Sequence, residues 1–217
     1  VLGIDGKLWY PSNMFVVVIT GGLGAGKSTA ADFFRRHGAV VLDLDDIAKH
    51  TMVKGSPVLQ RVADEFGPDV LLADGSLDKA ALAREAFGSP ERAAALNAIV
   101  HPAVAREVGP ALSDLRLMQQ PPEMVVIEVP LLAEAPIYAE LADAVLAVVA
   151  PESMRLSRAV ARGMSERDAK QRIALQATDA ERSALADRVV INDGEREALD
   201  RQLEDFLASF KTREWRT

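Results

Sequence analysis

Residues 16–34 read VVVITGGLGAGKSTAADFF, and the order of residue types within them decides the fold. Val16–Ile19 is a run of β-branched apolar residues without alternation, the pattern of a strand buried on both faces. Lys27 to Arg36 is a segment of good helix formers. The glycines between them, Gly21, Gly22, Gly24 and Gly26, then make a strand-to-helix turn, because a flexible linker would not explain what stands on either side.

Gly21, Gly26, Lys27 and Ser28 fit the spacing G-x-x-x-x-G-K-[ST]. Without Cβ atoms such a loop curls so that successive backbone N–H groups face one anion, and the helix behind adds the positive end of its dipole. The site predicted is for the polyphosphate of a nucleotide, with ATP held by Gly22, Gly24, Ala25, Gly26, Lys27, Ser28 and Thr29. Lys27 would reach the β- and γ-phosphates, and the Ser28 hydroxyl would ligate the accompanying Mg²⁺.

Outward from this loop, Gly38 marks a helix end, and AVVLDLD (39–45) reads as a second strand running into Asp43, Asp45 and Asp46. MVVIEV (124–129), AVLAVVA (144–150) and RVVIND (188–193) supply three more strands. Strands separated by helices imply a parallel sheet covered on both faces, hence an α/β fold with a five-stranded parallel sheet. From about residue 51 to 121 the patterns are helical, and the Ser-Pro pairs at 56–57 and 89–90 read as N-cap and first helical residue. This stretch is expected to be a helical insert for a second substrate. Ser165 to Asp168 and Thr178 to Glu181 have the spacing of capping boxes.

The chain has 217 residues, 49% hydrophobic and 26% charged, with a formal net charge of −7. That size allows one substantial core, expected over 14–210. The acidic balance argues against non-specific binding to nucleic acid or an anionic membrane, so phosphate recognition has to come from a few placed cations. With no cysteine, disulfides and thiolate metal sites are excluded, and a reducing cytoplasm is the expected location. No apolar run has the length of a membrane span. Residues 1–13 read as a leader outside the fold, an added tail or an alternative upstream start, and 211–217 as a charged tail.

Three further groups carry chemistry. In an open parallel sheet, ligands sit at the carboxyl ends of the strands, so an acid after strand two faces the same crevice as the phosphate loop. Asp45 can orient an attacking hydroxyl or take its proton, with Asp43 as the rival. Capping of the next helix by Asp45 or Asp46 is the plainer alternative. Arg155, Arg158 and Arg162 follow strand four, and the last two share a helix face from which they could close over a triphosphate. A solvated face paired with Glu152, Glu166 or Asp168 is the other possibility. His101-Pro102 predicts an extended histidine backbone and a helix restart, turning the imidazole out of the helical stack toward a ligand. A buried histidine with one structural hydrogen bond is the commoner fate of such a residue.

Taken together, these residues resemble the dephospho-coenzyme A kinase family from about Phe15 to Leu207. The resemblance rests on ITGGLGAGKSTAADFFRRHGAVVLDLDDIAKH, LNAIVHPAV, VVIEVPLLAE, the R-x-x-x-R of Arg158 and Arg162, RIALQ and ADRVVINDG. It implies a P-loop kinase fold with a helical coenzyme-A-binding insert and a mobile lid at about 152–180. The implied reaction moves the γ-phosphate of ATP to the ribose 3′-hydroxyl of dephospho-coenzyme A. On this sequence it implies Asp45 as catalytic acid/base, Lys27 and Ser28 as ATP and Mg²⁺ contacts, and Arg158 and Arg162 as lid arginines. Asn192 falls at the adenine side, while Asp43, His101, Pro102 and Leu131 fall in acceptor motifs. Glu128 stands where relatives often carry aspartate and is the candidate to hold a metal-bound water.

Another small-molecule or nucleoside-monophosphate kinase of the same fold is the nearest alternative. A GTP-dependent switch would need Asn-Lys-x-Asp, and the chain has no Asn-Lys; its D-x-x-G match, DEFG at 64–67, lies in a helical pattern.

Overall fold

The computed structural model describes residues 14–130 and 137–212. Its centre is β1 (Phe15–Thr20), whose Val16 to Ile19 are fully shielded from solvent, as the unbroken apolar run requires. Hydrogen-bonded beside it are β3 (Met124–Val129) and β4 (Ala144–Val149), with β2 (Val40–Asp43) beyond β3 and β5 (Arg188–Ile191) beyond β4. Every pairing is parallel, giving the order β2-β3-β1-β4-β5.

One face of the sheet is covered by α1 (Lys27–Arg36) and α10 (Arg196–Thr212). Phe33, Phe34, Leu199, Leu203 and Phe206 bury there against Val17, Ile19, Val126 and Leu146. Phe34 and Phe206 meet edge to face with centroids 6.0 Å apart. The helices between β2 and β3 cover the other face: α2 (Leu44–Thr51), α3 (Pro57–Phe66), α4 (Lys79–Ala86) and α5 (Pro90–Leu117). Ser56 and Ser89 cap α3 and α5 ahead of Pro57 and Pro90, as their spacing predicts. DEFG closes α3 rather than following a strand.

Beyond a short α6 (Ile137–Glu140) and β4, the chain forms α7 (Glu152–Ala161), α8 (Glu166–Leu175) and α9 (Asp179–Ala184). Thr178 and Glu181 make the full reciprocal capping box, whereas at Ser165 the hydroxyl accepts from the Asp168 N–H.

The His101-Pro102 expectation is overturned. The backbone does not leave the helix at His101, because α5 continues through both Pro102 and Pro110. A proline inside a helix costs about 3 kcal/mol through the lost hydrogen bond and the ring's clash. Ile99, Val100, Val104, Val108 and Leu112 all bury along the same helix, and each full burial is worth about 1.5–3 kcal/mol, so packing outweighs the break. His101 stays in the stack. Its carbonyl accepts from the Tyr138 hydroxyl at 3.3 Å, and burial raises that phenol to about 12.

Candidate active site

The carboxyl ends of β1, β2 and β3 meet at one rim. Parallel register places Asp43 opposite Glu128 and Glu128 opposite Ile19, one residue short of the phosphate loop. The loop leaves β1 at Gly21 and enters α1 at Lys27, with Gly26 as N-cap in the left-handed region at φ 108°. A Cβ on Gly26 would overlap the Asn192 side-chain amide, so a glycine is required there on two counts. No side chain caps α1, which leaves its first N–H groups for an anion.

Lys27 curls back over the loop, its ammonium 3.4 Å from the Gly22 carbonyl. Burial lowers its proton affinity, and the charges of Glu128 and Asp45 pull the other way. The Ser28 hydroxyl donates to Glu128 Oε1 at 2.8 Å. Glu128 is itself buried, and burial pushes its carboxyl above the ordinary glutamate value despite the Ser28 hydrogen bond and nearby Lys27.

Among the three acids, the structure gives the capping role to Asp43, correcting the alternative that placed it on Asp45 or Asp46. The chain leaves β2 at Asp43, two residues before the strand end expected at Asp45, so Asp43 Oδ1 accepts from the N–H groups of Asp45 and Asp46. Asp46 faces outward and pairs with Lys49 at 2.6 Å. Asp45 stays exposed in the first turn of α2. Desolvation raises its pKa, Asp43 raises it further, and Lys27 opposes them. Asp45 and Lys27 each feel the other's charge, so the acid lies within electrostatic reach of the phosphate loop.

The arginines after β4 divide. Arg158 lies on the loop, donating from Nη1 to the Gly24 carbonyl at 3.4 Å and the Asn192 carbonyl at 3.1 Å, and from Nη2 to Asn192 Oδ1 at 3.3 Å. Arg162 is exposed at the C-cap of α7. Asn192 is buried, and its Nδ2 donates to the Ala25 carbonyl at 2.7 Å. Leu131 lies outside the described residues. Gln176 and Asp179 were not singled out by sequence, since neither stands in a recognisable phosphate motif; both turn out to hold the loop from outside.

Two clefts open on the described surface. One of about 390 Å³ has an apolar floor including Met52, Leu82 and Phe87, with Lys49, Lys54 and Lys79 at its lining. Another, about 620 Å³, lies among Pro151, Arg155, Ile173, Gln176, Asp179 and Ile191.

A family model described as dephospho-CoA kinase matches residues 15–198. A dephospho-CoA kinase from Streptomyces avermitilis is 43% identical over 199 residues, covering 90% of this chain and 93% of the relative. A crystal structure from Thermus thermophilus superposes with a TM-score of 0.72 at 36% identity, over 90% of this chain and 97% of that one. The dephospho-CoA kinase from Campylobacter jejuni shares the fold, with a TM-score of 0.66 at 20% identity over 93% and 99% of the two chains. With the family match running from β1 into α10, and so across loop, acid and arginines alike, the chain belongs to the dephospho-CoA kinase family.

Proposed function

We propose that this protein transfers the γ-phosphoryl group of ATP to the ribose 3′-hydroxyl of dephospho-coenzyme A, yielding coenzyme A and ADP. The observation that carries the reading is that the phosphate loop (residues 21–28) after β1 and Asp45 just past the end of β2 lie at the same rim of one parallel sheet, with Asp45 within electrostatic reach of Lys27. The loop amides and Lys27 would hold the triphosphate in line, and Asp45 would accept the proton of the attacking hydroxyl. A carboxyl biased toward its protonated form is a stronger base once ionised than an ordinary aspartate, and Lys27 beside it favours ionisation. Ser28 and Glu128 offer the partial oxygen set that suits Mg²⁺, which is usually held by one or two protein oxygens plus phosphates. Bound there, the ion would offset charge on the β- and γ-phosphates.

Arg158, now resting on the loop, would turn its guanidinium to the transferred group, with Arg162 one turn further along for the closed state. Segment 152–180 would serve as the lid, and residues 51–121 as the acceptor-binding insert. The lysine-lined cleft supports that division: cations suit the diphosphate of the acceptor and the apolar floor suits its long arm. Asp43, His101, Pro102 and Leu131 remain the acceptor residues proposed from the motifs. The net charge of −7 and absence of cysteine favour a cytoplasmic enzyme of small molecules over a nucleic-acid binder.

Purified protein, ATP and Mg²⁺ should release ADP with dephospho-coenzyme A and far more slowly with nucleoside monophosphates or shikimate. The phosphate should appear on the 3′-oxygen. Equal or faster turnover of a nucleoside monophosphate would reassign the acceptor and defeat the proposal.

A further inference from the structure

The tip of the phosphate loop is held from outside by side chains that phosphate binding does not itself demand. Leu23 has both backbone groups engaged: its N–H donates to Gln176 Oε1 at 2.8 Å, and its carbonyl accepts from Arg155 Nε at 3.2 Å. The Arg155 guanidinium lies so close over Gly22 that a Cβ there would overlap it, and one on Gly24 would overlap the Arg155 backbone. Asp179 Oδ1 fixes Arg155 through Nη1 at 3.1 Å and accepts from Arg182 Nη1 at 3.3 Å. Both arginines are buried, so the carboxylate between them offsets charge that would otherwise be costly to desolvate. Their positive charge is felt at Lys27, where it lowers proton affinity, so the cluster lies within electrostatic reach of the phosphate site.

We infer that Gln176 and Asp179, the latter acting through Arg155, are positioning residues that set the shape of the phosphate loop from the α8–α9 connection. A glycine-rich turn has no stiffness of its own. For its amides to form an anion cradle before the nucleotide arrives, something must restrict the tip, and here Leu23 is pinned from two sides. The amide that Gln176 occupies belongs to Leu23, which is not among the loop residues expected to hold the triphosphate. The clamp therefore fixes the loop without using up its cradle. Nucleotide affinity in this protein then depends on residues that touch no phosphate.

This inference rests on the reading of the loop as the ATP site, and the experiment separates the two. Calorimetric titration of Mg-ATP into the full chain comes first, since absence of binding would refute the ATP reading itself. Gln176→Ala should weaken ATP binding about tenfold, in line with loss of one well-placed hydrogen bond and the disorder it releases. KM for ATP should rise in parallel, while KM for dephospho-coenzyme A stays within about twofold. Gln176→Met keeps the length of the side chain without its acceptor oxygen or a charge and should weaken ATP binding as Gln176→Ala does. Arg155→Met combined with Gln176→Ala should cost less than the sum of the single changes, since both release the same residue. If Gln176→Ala binds ATP like the parent and only its melting temperature falls, the contact is structural and the inference is wrong. Parent-like ATP affinity in Gln176→Met also overturns it.

Discussion

Between Gly21 and Thr29 the phosphate loop is marked by one contiguous run of residues, whereas Arg155 and Gln176, which hold its tip, stand 132 and 153 positions away. The first region works by what is missing: no Cβ, no capping side chain, N–H groups left over. The second works by addition, with guanidinium, carboxylate and amide filling the outer side of the turn. A binding site built from backbone has a short, recognisable signature, and the side chains that stiffen it do not. The acid is a third case: Asp45 lies in α2 just past the carboxyl end of β2 and comes within electrostatic reach of Lys27 although the chain separates them by a whole helix.

The largest effect expected is on chemistry rather than on binding. Asp45→Asn keeps the size and the α2 geometry but removes the base, so kcat should fall by about 10²–10⁴-fold. ATP affinity should change less than about threefold, because the loop amides, Lys27 and Ser28 are untouched. Single-turnover measurements beside calorimetry would show the split. A large loss of ATP affinity with near-normal turnover would place Asp45 with the loop instead of the acceptor.

Next in size is a test of the glycine argument. Gly26→Ala must adopt φ 108° and push a methyl group into the Asn192 amide, which also supports Ala25. Strain of that kind costs about 1–3 kcal/mol, which corresponds to roughly 5- to 150-fold in ATP affinity where the cradle must distort to relieve it. Gly38 is the control. It is also left-handed, at φ 90°, yet nothing lies within 4 Å of the added methyl. Gly38→Ala should lower stability by about 1–2 kcal/mol and leave ATP binding unchanged. If both variants bind ATP normally, close approach of Asn192 to the loop is not what shapes the cradle.

Much of this was legible from residue order. The β1–loop–α1 unit emerges at Lys27–Arg36 as its helix formers require, and the five strands follow from their apolar runs. Fine placement near the acids was less accessible. Asp43, Asp45 and Asp46 are all good caps, and only the point at which β2 ends decides which one is used. At His101 a local rule about proline met a long-range demand, the burial of one helix face, and the demand prevailed. Arg155 stood out only as one of three arginines; its burial and its hold on Leu23 depend on α7 lying against the loop. Gln176 stood only as the last residue of RIALQ, a motif that carried the resemblance but no sign of a contact with the loop.

The smallest effect concerns stability, and its sign follows from the acids themselves. Burial raises the carboxyls of both Glu128 and Asp45 above their ordinary values. A folded state that holds a proton more tightly than the unfolded chain is favoured at low pH, and the benefit is lost as pH rises through the raised value. At neutral pH the ionised carboxylates therefore cost the empty protein stability. Glu128→Gln should raise the melting temperature at pH 7 relative to the parent. The gain should shrink as pH falls through the window above 4.5 and disappear below it. Asp45→Asn should behave the same way with a smaller amplitude, since that residue is more open to solvent, and its window starts at 3.8. The contrast with the loop is one of charge: its backbone N–H groups carry no net charge, whereas the buried carboxylate of Glu128 is held at a cost in the empty protein. Melting curves for both variants from pH 4 to 8 would decide it. A parent protein as stable as Glu128→Gln at neutral pH would mean that Ser28 and Lys27 already compensate the buried charge in full.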